Sequence, residues 1–190
     1  MSAGERPSRR VGQPPTIATS GGRAFATHPA AVVVAIVNAR EELLLLESPR
    51  RTGWWEPVNG AVEAGETLLQ AALREVREEA GPGLQVRPLG VVHASTFAYD
   101  ALVTHVISVT FLMAYEGGEV VPGDDMRGSR VRWATIREIE SEQLHLVPPL
   151  DQTWLRQRAI DLYRLWQPAP DVPLQKPLTD TGWNKHHDAG

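Results

Sequence analysis

The alternation of apolar runs and polar turns along the chain predicts a sheet of several strands. Residues 31–37 form a continuous run of valine, isoleucine and alanine, which indicates a buried strand. A polar turn separates this run from residues 42–47, which we expect to return as its partner strand. Further strands are predicted downstream, at residues 84–86, 89–93, 103–115, 120–121 and 131–134.

The clearest helical pattern begins at Thr67 and ends at Gly81. Thr67 and Gln70 have the spacing of a capping box, in which each residue hydrogen-bonds the backbone of the other. Gly81 followed by Pro82 predicts the end of the helix. An apolar stripe at helical spacing is expected to face the core, formed by Leu69, Leu73, Val76 and Ala80.

The order of these elements favours an α/β fold with a mixed sheet between helices, because a short helix is also predicted at residues 136–142 and a longer one at 148–166. Residues 1–29 are rich in Pro, Gly, Ser and Thr without periodicity, and predict a flexible N-terminal arm. Residues 30–166 then form one domain. Residues 167–190 are expected to be a proline-rich C-terminal tail.

Composition narrows the function classes. The chain has no cysteine, which excludes disulfides, thiolate metal sites and cysteine nucleophiles. A net charge of −4 and the absence of a long apolar run give no support for binding to nucleic acid or membranes, and a cytoplasmic location is expected. The arginines of the arm are too few and too little interleaved with aromatic residues to predict an RNA or DNA site.

The candidate chemistry lies on the predicted helix after Thr67. Glu75, Glu78 and Glu79 fall within about one helical turn, where residues three and four apart are neighbours, so their like charges face one another. Arg74 lies among them and Glu66 just ahead of the helix. Hard divalent cations such as Mg²⁺ bind to carboxylate oxygens of this kind, so the cluster predicts a metal site.

The pattern GX5EX7REVXEEXG over residues 60–81 resembles the Nudix box. Pro82 departs from that pattern, which usually has an aliphatic residue at this point, and Leu84 or Val86 is expected to supply the missing core contact. The resemblance implies a Nudix-type α/β/α sandwich around a mixed β-sheet. It also implies a pyrophosphohydrolase that uses Mg²⁺ or Mn²⁺ to cleave a nucleoside diphosphate linked to another group.

The same resemblance implies a role for each residue of the box. The metal ligands would be the carboxylates of Glu75, Glu78 and Glu79 and the carbonyl of Asn59 or Gly60. Arg74 would orient these carboxylates, and Glu66 would brace the site. The general base would be either Glu79 or an acid from a distant loop, for which the candidates are Glu119, Asp124 and Asp125.

The substrate is less well defined by the sequence. Arg50 and Arg51 precede the box and are candidates for binding phosphate, and Trp54 or Trp55 is a candidate for stacking on a nucleobase. Tyr99 is a further candidate for binding substrate. The position of Tyr99 resembles that of a tyrosine in dinucleoside polyphosphate hydrolases, whereas residues 55–60 resemble the lead-in of dihydroneopterin triphosphate pyrophosphohydrolases.

Other members of the family fit the sequence less well. The proline signature of NADH-cleaving members is absent, and Phe97 stands where ADP-ribose hydrolases have a proline. A nucleotide-binding regulator without catalytic activity is the alternative outside the enzymes, although such proteins usually have degenerate boxes. Homodimers are common in the family, but the sequence marks no interface.

Overall fold

The computed structural model describes residues 15–168, so residues 1–14 and the predicted tail beyond 168 lie outside the described part of the chain. The strands are β1 (Thr16–Ala18), β2 (Ala24–Ala26), β3 (Ala30–Val37), β4 (Leu43–Glu47), β5 (Trp54–Glu56), β6 (Val58–Ala61), β7 (Gln85–Phe97), β8 (Val106–Gly117), β9 (Val131–Ala134) and β10 (His145–Leu146). The helices are α1 (Leu68–Glu75), α2 (Ile136–Ser141) and α3 (Thr153–Trp166). A π-helical turn, Val76–Ala80, continues α1 without a break, and a 3-10 turn spans Asp124–Met126.

The centre of the fold is β3, whose β-branched side chains are buried on both faces of an eight-stranded mixed sheet. Along one edge it pairs in parallel with β8, which in turn pairs with the edge strand β7. Along the other edge it pairs antiparallel with β4 and β6. The strands β5 and β9 extend the sheet beyond β4, and β10 pairs in parallel with β5.

Two apolar layers cover the two faces of this sheet. Successive residues of β3 alternate between them: Ala35 packs with side chains of α2 and α3, and Ile36 packs against α1 and the π-helical turn. This alternation follows from the pleat of a strand, which directs neighbouring side chains to opposite faces. The α/β/α sandwich predicted from the sequence is therefore confirmed.

Some of the predicted elements differ from the structure. The predicted strands at residues 84–86 and 89–93 are one strand, β7, interrupted by register shifts. The strand predicted at 120–121 is wrong, because these residues form a loop in which the Val121 N–H donates to the Ala80 carbonyl. Helix α3 begins at Thr153 rather than at 148, since Pro148 and Pro149 lack the N–H and the backbone freedom that a helix interior requires.

Five short strands were not predicted. β5, β6 and β10 contain only two to four residues each, and they form because longer neighbours offer hydrogen-bonding edges. Within the predicted N-terminal arm, β1 and β2 form an exposed antiparallel hairpin. None of the helices between residues 15 and 168 has the length and apolar character to cross a membrane.

Candidate active site

The helix that carries the glutamates begins as the sequence predicts. The Thr67 hydroxyl accepts a hydrogen bond from the Gln70 N–H, and the Gln70 side chain accepts one from the Thr67 N–H, which completes the capping box. Val76 and Ala80 of the predicted stripe are buried, whereas Leu69 and Leu73 are only partly buried. Their place deepest in the core is taken by two residues of small volume, Ala71 and Ala72, which let α1 lie close to the sheet.

The last turn of this helix is π-helical, which the sequence did not reveal. Residues Val76–Ala80 hold one more residue per turn than an α-helix offers, and π-turns of this kind are frequent at functional sites. Glu75 and Glu79 are both buried at this turn, while the Glu78 side chain remains 42% exposed. Gly81 ends the helix with a positive φ of 109°, and a β-carbon there would lie 2.7 Å from the Val121 carbonyl oxygen.

Strand β6 brings the backbone of the box loop against these two glutamates. The Asn59 N–H donates a hydrogen bond of 2.8 Å to the Glu79 carboxylate. A β-carbon on Gly60 would lie 1.9 Å from Glu75 Oε1, so only glycine allows the carboxylate to approach this closely. Because β6 pairs in register with β3, opposite Val32 and Val33, this contact is anchored to the centre of the sheet.

Arg74 links the carboxylates of the box. Its guanidinium donates hydrogen bonds of 2.8 Å to Glu66, Glu75 and Glu78, and another of 2.8 Å to the Ala61 carbonyl. All the donors of this planar group are directed at fixed oxygen positions, which suits arginine better than lysine. The structure thus joins Arg74 to Glu66 and to two glutamates of the helix, while the orienting and bracing roles stay predictions.

The electrostatics of the site differ from one glutamate to the next. Burial raises the pKa of Glu79 to about 8, and the neighbouring Glu75, Asp125 and Glu56 add to the rise, although the Asn59 N–H opposes it. Burial also raises the pKa of Glu75, against the lowering effect of Arg74. The hydrogen bond from Arg74 holds the pKa of Glu66 below its usual range. The ionised forms of Glu75 and Glu79, at the π-helical turn, are therefore unfavourable unless a cation binds to them.

The donor set fits a hard divalent cation, but its side chains are arranged around Arg74. Within residues 15–168, no three acidic or histidine side chains converge closely enough to hold a metal ion as they stand. The reason is that Arg74 binds oxygens of Glu75 and Glu78, and Glu79 is turned towards the Asn59 N–H. The chemistry nevertheless suits Mg²⁺ or Mn²⁺, because all donors are oxygens and, within residues 15–168, the buried Glu79 carboxyl forms no ion pair with a basic side chain.

A cleft of about 780 Å³ opens beside the π-turn and holds several of the predicted residues. Gly60, Glu79 and Arg50 line it, and so does Tyr99, 71% of whose surface is exposed. Arg50 donates to the Asp125 carboxylate over 3.1 Å, and Asp125 also lines the cleft. Glu56 is a further acidic residue of the lining that sequence reasoning missed, since no motif position marks it.

Two of the predicted substrate contacts lie elsewhere. Trp55 is only 7% exposed and packs in the core on the side of α2 and α3, with the Arg130 guanidinium 5.4 Å from the centre of its ring. Arg51 lies over the ring of Trp54, with 5.6 Å between guanidinium carbon and ring centre. Neither residue lines the cleft. The tryptophan pair looked equivalent in sequence, but the alternation of β5 sends Trp55 inwards.

The loop that follows β8 places the three candidates for a distal general base, Glu119, Asp124 and Asp125, in different surroundings. The Gly123 N–H donates to the Glu79 carbonyl over 3.1 Å, and Met126 inserts into the core with 2% exposure. This docking holds Asp125 at the cleft. Asp124 and Glu119 are exposed residues outside the cleft lining.

The described domain is an α/β/α sandwich in which an acidic loop-helix-loop, suited to a divalent cation, lies beside a cleft. Comparison with known families identifies the class further. The model of the NUDIX domain matches residues 26–157, so the chain belongs to the Nudix family. Enzymes of this family generally use divalent metal ions, and the resemblance seen in the box is confirmed.

Individual relatives agree with this assignment. The chain is 33% identical over 136 residues to the NAD-capped RNA hydrolase NudC of Pseudomonas aeruginosa, covering 69% of this chain and 42% of that protein. It is 34% identical over 102 residues to the ADP-ribose pyrophosphatase of Methanocaldococcus jannaschii, covering 53% of this chain and 59% of the relative. The chain thus spans about half the length of these curated relatives.

A solved structure of the same family has a similar fold. The NUDIX hydrolase from Nitrosomonas europaea superimposes with a TM-score of 0.54 at 26% identity. The match covers 73% of this chain and 90% of that structure. The region that resembles known Nudix structures is therefore nearly the whole described domain.

Proposed function

We propose that this chain is a Nudix pyrophosphohydrolase that uses Mg²⁺ or Mn²⁺ to cleave the diphosphate linkage of a nucleotide-like substrate by attack of water at phosphorus. The observation that carries the proposal is the burial of Glu75 and Glu79 side by side against Asn59 and Gly60. Burying two carboxyls with raised pKa values works against folding. Sites of this kind are arranged for chemistry more often than for stability.

The residues of the box would act together in this reaction. Glu75, Glu78 and Glu79 would hold the cation together with the Gly60 carbonyl. When bound, the divalent ion supplies charge neutralisation of the phosphates and activation of water. Arg74 keeps the carboxylates oriented through its hydrogen bonds to Glu66, Glu75 and Glu78. These residues would therefore prepare the site before the substrate arrives.

The proton of the attacking water requires an acceptor within the cleft. Glu79 is one candidate, but its role as ligand and its bond to the Asn59 N–H leave it less free to take a proton. Asp125 lines the same cleft, with 55% of its side chain exposed, and its exposed partner Arg50 is readily displaced. We infer that Asp125 is the general base and that Arg50, once released, binds a substrate phosphate.

The relatives support a substrate in which a diphosphate joins a nucleoside to a second group. ADP-ribose and NAD caps, named in the two curated relatives, both have this linkage. A panel of candidate substrates should also include two compounds suggested by the sequence. These are dinucleoside polyphosphates, because of Tyr99, and dihydroneopterin triphosphate, because of residues 55–60. The name NAD-capped RNA hydrolase adds an RNA-linked substrate, although the sequence predicted no nucleic-acid binding. A homodimer and a cytoplasmic location stay predictions.

The decisive experiment substitutes the box glutamates. Glu78→Gln and Glu79→Gln are each expected to lower hydrolysis on the order of 10²-fold or more, because each removes a negative ligand oxygen while conserving shape. Release of phosphate or nucleotide products from the panel, with Mg²⁺ and then Mn²⁺, measures the loss. Circular dichroism checks that the fold is intact.

Glu63→Gln is the matched control, since Glu63 is an exposed glutamate of the same loop, and within residues 15–168 its hydrogen bonds come from its backbone N–H and carbonyl rather than from its side chain. Full activity in both box variants would refute the proposal. A wild-type chain that binds nucleotides and cleaves none of the panel would instead favour the alternative of a regulator without catalytic activity.

A further inference from the structure

Two loops that are distant in sequence meet beside the cleft. Residues 48–53 join β4 to β5 and carry Arg50, and residues 118–130 join β8 to β9 and carry Asp125. The side chains of Arg50 and Asp125 form an ion pair of 3.1 Å, and both residues line the cleft. These side chains are 77% and 55% exposed, and an ion pair with that exposure is too weak to hold two loops together. Another contact must fix them.

A second ion pair joins the same two loops where they leave the sheet. Glu47 is the last residue of β4, and Arg130 directly precedes β9. The Arg130 guanidinium donates two hydrogen bonds to the Glu47 carboxylate, of 2.5 Å from Nε and 2.6 Å from Nη2. The Glu47 N–H also donates to the Arg130 carbonyl over 2.9 Å. Backbone and side chains together therefore tie the base of one loop to the base of the other.

This ion pair is anchored more firmly than an ordinary surface pair. The Glu47 side chain is only 12% exposed and also accepts a hydrogen bond of 2.9 Å from the Gly53 N–H, at the far end of the first loop. The hydrogen bonds from Arg130 and Gly53 lower the pKa of Glu47 to about 2, so its carboxylate stays ionised. The Arg130 guanidinium lies over the ring of the buried Trp55, which is opposite Glu47 in the sheet. Bidentate geometry with such support is the case in which an ion pair fixes structure.

We propose that Glu47 and Arg130 are positioning residues of the reaction, whose ion pair fixes the two loops so that Asp125 and Arg50 meet at the cleft. The inference rests on the proposed function, in which Asp125 accepts a proton and Arg50 binds a phosphate. Neither Glu47 nor Arg130 lines the cleft, so both act through the loops and not by touching the substrate. A displacement of about 1 Å in a reacting group can cost on the order of 10²-fold in rate, so the loops need such a support.

The chain contains another bidentate pair that serves as a matched control. Arg164 of α3 donates hydrogen bonds of 2.7 Å and 2.5 Å to the Glu41 carboxylate, and these residues are also distant in sequence. The two side chains are 54% and 38% exposed, and neither residue lines the cleft. Glu41 lies in the turn between β3 and β4. Removal of this pair therefore deletes the same chemistry without touching either loop.

Steady-state kinetics on one accepted substrate tests the proposal. Arg130→Ala and Glu47→Gln should each lower kcat about 5- to 50-fold, because Asp125 is displaced, and raise KM, because Arg50 is displaced. Arg130→Lys keeps the charge but not the bidentate fork, so its kcat should lie between those of the wild type and Arg130→Ala. Circular dichroism checks that each variant is folded. A kcat and a KM that remain at wild-type values in both Arg130→Ala and Glu47→Gln overturn the proposal.

The control pair shows whether the effect belongs to these two loops. Arg164→Ala and Glu41→Gln should keep kcat and KM within about twofold of the wild type. Losses in Arg164→Ala as large as those in Arg130→Ala overturn the proposal, because any bidentate ion pair would then have the same effect.

A double-mutant cycle separates positioning from a general structural defect. If Arg130 acts on kcat through Asp125, adding Arg130→Ala to Asp125→Asn should lower kcat by less than about twofold, because the group to be positioned is already absent. Adding Arg130→Ala to Arg50→Ala should likewise leave KM within about twofold. A structural defect would instead produce the same fold loss in every background, and that result overturns the proposal.

Amide hydrogen exchange reports on the two loops independently of hydrolysis. The Trp54 N–H donates to a carbonyl of the first loop, and the Met126 N–H donates to a carbonyl of the second. In Arg130→Ala both amides should exchange at least about fivefold faster than in the wild type, whereas Arg164→Ala should leave them unchanged. Wild-type exchange in both loops of Arg130→Ala overturns the proposal even if its hydrolysis falls.

Together these measurements distinguish failure of the positioning role from failure of the proposed function. Faster exchange in both loops of Arg130→Ala, in a chain whose hydrolysis is insensitive to Glu79→Gln, contradicts the proposed function and leaves the coupling of the loops standing. Hydrolysis that is abolished by Glu79→Gln but unchanged in Arg130→Ala contradicts only the positioning role.

Discussion

At the scale of single residues, Glu79 is the most strongly perturbed acid of the site at which we propose that a cation binds. Its carboxyl is 6% exposed, and within the described residues its only hydrogen bond is the one from the Asn59 N–H. The neighbours Glu75, Asp125 and Glu56 are all acidic. In the metal-free protein this carboxyl therefore holds its proton near neutral pH, and binding of a metal must release that proton.

This protonation makes the stability of the metal-free protein depend on pH. The pKa of Glu79 rises from 4.5 in the unfolded chain to about 8 in the fold, so the folded state binds the proton more tightly. The associated stability is fully present below pH 4.5 and is lost as pH rises through 8. Compared with Glu79→Gln, the wild type in EDTA should lose on the order of 2–4 kcal/mol over this window.

Urea denaturation of both proteins at a series of pH values measures that difference. Glu63→Gln, which removes an exposed glutamate, should follow the wild type. Parallel stability curves for the wild type and Glu79→Gln would show that the carboxyl is ionised in the fold.

Asp125 is the second residue whose position leads to a prediction. If it accepts the proton of the attacking water, Asp125→Asn should lower kcat by about 10²- to 10⁴-fold at neutral pH. Asp124→Asn and Glu119→Gln should each stay within about twofold, because neither residue lines the cleft. Steady-state kinetics on one accepted substrate measures kcat for the three variants. A strong loss of kcat in either control would argue against Asp125 as the general base.

At the scale of elements, the site depends on how the loop after β8 docks against the helix that carries the glutamates. Val121 and Gly123 donate their N–H groups to the carbonyls of Ala80 and Glu79, at the end of the π-turn. These bonds satisfy two carbonyls that the helix end leaves free. The same contacts fix the 3-10 turn, so Asp125 and the box glutamates move as one unit.

Gly123→Ala tests this docking. A β-carbon at Gly123 would lie 2.6 Å from the Glu78 carbonyl oxygen, so the loop must shift. We expect activity to fall about tenfold or more and stability to fall by roughly 1–3 kcal/mol. Gly83→Ala is the control, since its β-carbon would meet only the Glu119 carbonyl oxygen at 3.9 Å. Equal activities of the two variants would show that hydrolysis does not depend on how this loop docks.

At the scale of the whole molecule, the sheet supports a site that opposes folding. The core on both faces is continuous from β3 to the helices, and its burial offsets the cost of the acidic cluster. A cation that binds only the folded state should then stabilise the domain as a whole.

Thermal unfolding with increasing Mg²⁺ measures this linkage. At about 100 times the dissociation constant, binding contributes about 2.7 kcal/mol, which corresponds to a rise in Tm of roughly 5–10 °C for a domain of this size. Glu75→Gln and Glu78→Gln should reduce or remove the rise, while Glu63→Gln should retain it. A Tm that is the same in EDTA and in saturating Mg²⁺ would argue against a cation at this site.

Features of the structure that depend on local spacing could be predicted from the sequence. The capping box at Thr67 and the end of the helix at Gly81 follow from helix signals, and the buried strand β3 follows from an unbroken run of small and β-branched residues. The family also follows from spacing, because the glycine, glutamate and arginine positions of the box lie within residues 60–81. Leu84 supplies the core contact expected of it beside Pro82.

The tertiary structure decided everything that joins distant parts of the chain. Nothing in local spacing distinguishes Asp125 from Asp124, or Trp55 from Trp54; the docking of a loop and the pairing of β5 separate them. Ser95 lies opposite Ser108 only because of the register of β7 against β8. Register and docking arise from long-range packing, and packing is also what buries Glu79, whose charge alone would favour the surface.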